Sequence, residues 1–143
     1  MYHTYYVSKQ GSDSNCGDRS HPFFTINCAA QVALPGDTVI VQEGTYREWV
    51  NPLFGGDSDT KRITYMAEEG KKVVIKGSEQ IRSWVMVSDN IWKVELDNQY
   101  FGAYNPYADV IYGDWYNTVE NCHTGEVYLN GQSLYEVDQL EKL

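Results

Sequence analysis

Between Ser20 and Val50 the apolar positions change period twice. Ile26, Ala29, Ala30 and Ala33 fall at i, i+3, i+4 and i+7, the spacing of one helical face. Thr25 stands where a cap belongs, and Pro35-Gly36 ends the run. Val39-Ile40-Val41 then forms a short β-branched apolar strand closed by Gly44. A narrow helix of small residues ahead of such strands suits a plug over the open end of a stacked β-structure.

The rest of the first half alternates short apolar runs with polar turns. Tyr5-Tyr6-Val7, Tyr46 to Val50, Ile63-Thr64-Tyr65-Met66 and Val73-Val74-Ile75 read as strands. Gly11 to Ser20 and Gly55 to Arg62 read as polar loops. From Val39 to Ile63 is a step of 24 residues, within the range of solenoid coils. A parallel β-helix needs about three coils to bury a continuous core, so the chain is expected to continue past its last coil here.

After Gly77 the pattern changes. Trp92-Lys93-Val94-Glu95-Leu96 alternates as a half-buried antiparallel strand does. Glu126 to Leu129 and Leu134 to Val137 flank Asn130-Gly131-Gln132-Ser133, and Asn-Gly is a strong hairpin signal. Residues 1–78 are therefore expected to form the cap and first coils. Residues 79–143 are expected to form an incomplete, sandwich-like antiparallel region.

The 143 residues carry 20 acidic and 11 basic side chains, a net charge of −9. That balance argues against nucleic acid, whose phosphates need Lys and Arg, and fits a neutral partner such as a sugar, or a metal, although most acidic proteins are acidic only for solubility. Twelve Tyr, four Trp and four Phe are expected mostly to fill and edge a β-rich core. Cys16, Cys28 and Cys122 show no C-x-x-C spacing, so neither a zinc site nor a disulfide framework is indicated. Free thiols fit a reducing compartment. No apolar run reaches transmembrane length and no signal pattern opens the chain. A cytoplasmic protein is expected, or a secreted one whose leader has been removed, with no membrane partner.

The segment from Tyr5 through Val50 (YYVSKQGSDSN, HPFFTINCAA, PGDTVIVQEGTYREWV) resembles the N-terminal coils of pectate-lyase-like right-handed parallel β-helix proteins. RITYMAEEGKKVVIKGSEQIRSW, IWKVELDNQYFGAYNPY, YGDWY and HTGEVYLNGQSLYEV look like glycoside hydrolase family 120, the β-xylosidases. The resemblance covers Tyr5 to Val137. It implies an all-β protein: helix-capped first coils of a right-handed parallel β-helix, then part of an inserted antiparallel β-sandwich. It also implies release of xylose from xylo-oligosaccharides with retention, which needs two carboxyl groups about 5–5.5 Å apart. The family's Asp and Glu come from later coils. No catalytic residue is assigned here, and this stretch alone is expected to be inactive. Its partners would be a neutral xylo-oligosaccharide and either further copies of itself or the C-terminal remainder of the same protein. No cofactor and no metal are implied.

Trp115, in Gly113-Asp114-Trp115, is the candidate substrate-binding residue. A flat indole matches the C–H face of a sugar ring and adds one polar N–H. A buried sandwich tryptophan would suit the same position equally well. Trp84 and Trp92, in strand-like runs, read as core. Asp57 and Asp59, and Asp13, Asn15 and Asp18, lack the ordered spacing of a calcium loop and read as Asx turns. His3, His21 and His123 are scattered, and His123 reads as a loop hydrogen-bonder. Glu43 and Glu48 read as solvated charge. Three other readings stay open: a free-standing carbohydrate-binding module, part of a β-helix polysaccharide lyase, and a purely structural domain. The acidic charge counts against a lyase, whose substrates are anionic.

Overall fold

The computed structural model describes residues 2–116 and 121–142. The chain divides into two compact units, residues 1–82 and 83–143.

The first unit runs β1 (Thr4–Val7), α1 (Ile26–Val32), β2 (Thr38–Val41), β3 (Gly44–Arg47), β4 (Thr64–Ala67) and β5 (Val73–Lys76). β1, β2 and β4 form one parallel ladder and β3 and β5 another. Consecutive strands β2 and β3 therefore lie in different sheets, and the next pair stacks on them in the same order. The chain winds as successive coils. Thr4, Thr38 and Thr64 stand in register, and Val39 lies between Tyr5 and Tyr65. The residue stacked on Val39 is thus Tyr65, not Ile63, so the coil step is two residues longer than the apolar spacing suggests. The loop before β4 absorbs the difference.

The core is built from the predicted faces. Val7, Phe23, Ile26, Ala29, Ala33, Val39, Val41 and Tyr46 form one buried cluster. Burial of each large apolar side chain contributes roughly 1.5–3 kcal/mol. The alanines let α1 lie close over the strand ends. Tyr46 is fully buried, and its hydroxyl donates to the Gln42 carbonyl at 3.0 Å. Asp37 is buried beside the helix end, where its carboxylate accepts the His3 N–H at 2.7 Å and the Leu34 N–H at 2.9 Å. All four residues of β4, the last strand of its ladder, are exposed.

α1 begins as its sequence dictates. Thr25 Oγ1 accepts from the Cys28 N–H at 3.0 Å, and the helix stops at Ala33, ahead of Pro35-Gly36. Two expectations need correction. The strand placed at Tyr46 to Val50 lies at Gly44–Arg47, because Gly44 pairs with Val73 rather than closing a turn. Glu48 is not simply solvated. Its carboxylate accepts the Ile26 N–H at 3.1 Å and the Asn27 N–H at 2.8 Å, two of the donors every helix start leaves orphaned.

The second unit is antiparallel. β6 (Val85–Ser88) pairs with β7 (Ile91–Lys93), and β8 (Tyr128–Leu129) with β9 (Gln132–Ser133). Asn130 and Gly131 join the last two with φ of 52° and 83°, the pair of positive values a type I′ turn requires. The hairpin is tighter than the apolar runs imply, since Gln132 and Ser133 are strand. Trp84 and Trp92 are 39% and 57% exposed, so neither is a core residue. A ladder two strands wide leaves a face open, and Val85, Met86 and Val87 are also more than half exposed. The aromatic side chains as a group do not fill the core either. Of the Phe, Tyr and Trp side chains among the described residues only Phe23 and Tyr46 are buried. Among the described residues the fold is all-β with a single short α-helix.

Candidate functional site

Trp115 sits in a turn closed by the Tyr116 N–H on the Gly113 carbonyl at 3.0 Å. The indole is 77% exposed and meets the Tyr116 ring edge-on, centroids 5.7 Å apart. It folds back over Gly113: a Cβ there would stand 2.5 Å from the indole Nε1. The glycine is thus a packing requirement for the pose of this tryptophan. Tyr112, on the same loop, is 86% exposed. It opens the Tyr-Gly-Asp-Trp string, a flat polar-edged ring beside a tight turn, and is one of the tyrosines next to Trp115 that a carbohydrate-binding platform would use.

The loop is held at its base. The backbones of Val110 and His123 bridge antiparallel. Ile111 N–H donates to the Cys122 carbonyl at 2.8 Å and Thr124 N–H to the Asp109 carbonyl at 2.9 Å. Around this bridge lies a polar network. The Tyr104 hydroxyl donates to Asp109 Oδ2 at 2.8 Å and lies 2.6 Å from Thr124 Oγ1. Thr124 Oγ1 donates to the Pro106 carbonyl, and the Tyr107 hydroxyl to the Glu126 carbonyl. His123 is a hydrogen-bonder: Glu136 takes both its backbone N–H, at 2.8 Å, and its Nδ1. Those two bonds hold the Glu136 carboxyl below its ordinary range. An exposed indole thus stands on a hydrogen-bonded base. Among the described residues nothing in it pairs two carboxyl groups for acid–base work.

The remaining candidates take structural parts. Asp13 accepts the Phe24 and Thr25 N–H groups and the Thr25 hydroxyl, tying the polar loop to the helix start. Asp18 accepts the Ser20 and His21 N–H groups, an Asx turn. Asp59 pairs with Arg62 at the surface. The three cysteines are unpaired thiols. Among the described residues no helix is long and apolar enough to cross a membrane.

Residues 81–143 match the family model described as glycoside hydrolase 120, insertion domain. Over 98% of its length the chain resembles XylC, solved in complex with xylose, at 56% identity and a TM-score of 0.95, while covering 22% of that protein. A second solved structure, a glycoside hydrolase, matches 97% of the chain at 22% identity and a TM-score of 0.59, which speaks to fold alone. The uncharacterized protein YwoF of Bacillus subtilis (strain 168) is 43% identical over 72 residues, 50% of this chain and 15% of YwoF. The chain therefore spans less than a quarter of the length of these proteins.

Proposed function

We propose that the chain, whose residues 81–143 match the family model described as glycoside hydrolase 120, insertion domain, works within a β-xylosidase-like enzyme. In this reading residues 1–78 are the capped first coils of a right-handed parallel β-helix and residues 79–143 belong to an inserted β-sandwich. Trp115 lays its indole against a xylose ring, and the protein around it releases xylose from short xylo-oligosaccharides with retention of configuration. Retention calls for a nucleophile and an acid/base about 5–5.5 Å apart. No pair of carboxyl groups near Trp115 is assigned to those roles, so the chemistry is placed outside these residues. The chain supplies scaffold and a sugar-facing surface. Three unpaired thiols suit a reducing, cytoplasmic setting.

The observation that carries this proposal is the 56% identity over nearly the whole chain to a protein solved with xylose. An aryl-xyloside hydrolysis assay on this chain and on the product of the complete gene tests it. Activity in the complete product and none in the 143-residue chain supports the reading. Inactivity of both removes it.

The exposed Tyr112 and Trp115 favour a second reading, a carbohydrate-binding surface without catalysis. Measurable binding of xylobiose by the isolated chain, with no hydrolysis by the complete product, would select it.

A further inference from the structure

The loop before α1 gathers three donor atoms of different chemistry. Cys16 Sγ, an Asp18 carboxylate oxygen and a ring nitrogen of His21 all lie within 4.8 Å of one another. Two of the separations are already close: Cys16 Sγ to Asp18 Oδ2 is 3.2 Å, and His21 Nδ1 to Asp18 Oδ1 is 3.3 Å. Bonds of about 2.0–2.3 Å to a tetrahedral zinc ion put neighbouring ligand atoms roughly 3.3–3.7 Å apart. The cluster therefore needs only a small closure to surround an ion.

The backbone beneath it is fixed. Gly17 is buried, its carbonyl accepts the Tyr6 N–H at 2.8 Å, and its N–H donates to the His21 carbonyl at 3.0 Å. Its φ is 81°, and a Cβ at Gly17 would stand 2.3 Å from the Phe23 ring, so the turn presenting Cys16 and Asp18 has little freedom. Asp18 Oδ1 already takes the Ser20 and His21 N–H groups, which aims Oδ2 at Cys16. The adjacent cation does not compete: Arg19 reaches away to Glu68 at 3.3 Å.

We propose that Cys16, Asp18 and His21 form a binding site for a thiophilic divalent cation of the zinc type, with its fourth position open to solvent. A thiolate, an imidazole and a carboxylate together suit zinc or cobalt, whereas calcium and magnesium want oxygen alone. The C-x-D-x-x-H spacing lacks the paired cysteines of familiar zinc motifs, the absence on which the cysteine spacing indicated no zinc site. Binding releases the thiol proton to the buffer and leaves the thiolate on the metal. The ion would close the Cys16 to His21 turn on itself, a structural part independent of any sugar chemistry.

Cobalt(II) is the probe, titrated into the reduced 143-residue chain. The expected result is a cobalt–thiolate charge-transfer band that saturates at one ion per chain and is displaced by zinc. Cys16→Ser should abolish the band. His21→Asn should weaken cobalt binding at least about tenfold, while Cys28→Ser and Cys122→Ser leave it unchanged. Cys16 and His21 are exposed and Cys28 and Cys122 half-buried, and matching far-UV circular dichroism checks that each variant is folded. The absence of a band at equimolar cobalt would overturn the site, as would a band that survives Cys16→Ser.

Discussion

Removing the Glu48 carboxylate should unravel the start of α1. In the native chain this side chain satisfies the Ile26 and Asn27 N–H groups at 3.1 and 2.8 Å, and Thr25 satisfies Cys28. A seven-residue helix cannot sustain itself without such ties. A hydrogen bond to a charged group contributes about 1.5–3 kcal/mol net, and a helix cap about 0.5–2. Glu48 is only half-buried, so water replaces part of each bond in Glu48→Ala. A loss of about 2 kcal/mol is the reasonable figure for two such bonds after that discount. For a unit of this size, that lowers Tm by roughly 8–16 °C. Glu48→Gln keeps one acceptor and should lose about half as much. Urea and thermal denaturation by far-UV circular dichroism measure both. Amide exchange adds position: Ile26 and Asn27 should lose protection while Tyr46, deep in the core, keeps most of its own. A Glu48→Ala variant within about 0.5 kcal/mol of the parent, with Ile26 still protected, would refute the capping role.

Asp37→Ala leaves the His3 and Leu34 N–H groups without their buried acceptor and should cost about 2–4 kcal/mol in urea denaturation. Asp37→Asn should recover part of that loss. Gly113→Ala should displace the indole, since a methyl group there stands 2.5 Å from Nε1; Trp115 emission should shift while overall stability falls by less than about 1 kcal/mol. Glu136 has a folded pKa lowered by the two His123 bonds, so its contribution is present above the unfolded value of about 4.3 and is lost as pH falls through the folded value. Stability measured between pH 6 and 3 should accordingly fall less steeply in Glu136→Gln than in the parent.

What could be read along the chain was whatever local spacing decides. Ile26, Ala29 and Ala30 set the buried face of α1, and Thr25 and Pro35-Gly36 set its limits. β-Branched runs placed β2 and β5, and Asn130-Gly131 placed the last hairpin. What escaped depends on partners distant in sequence. Glu48 caps a helix more than twenty residues behind it, which no window over Glu48 reveals. Gly44 looked like punctuation and is strand, because Val73 of the next coil is there to pair with it. The exposure of Trp84 and Trp92 follows from the width of their sheet, a property of topology rather than of alternation. The Cys16, Asp18 and His21 cluster is local, yet it follows no established ligand spacing. For Trp115 the residues left a buried and an exposed position in balance, and its fold over Gly113 decides for exposure.

In the proposed function Trp115 meets the sugar. The measurement that tests this most directly is hydrolysis of an aryl xyloside by the complete gene product, parent against Trp115→Ala, with kcat/KM read for both. Loss of one stacking indole should lower kcat/KM by at least about tenfold, about 1.4 kcal/mol of transition-state binding, with the fold unchanged by circular dichroism. Equal kcat/KM in the two proteins would contradict the assignment.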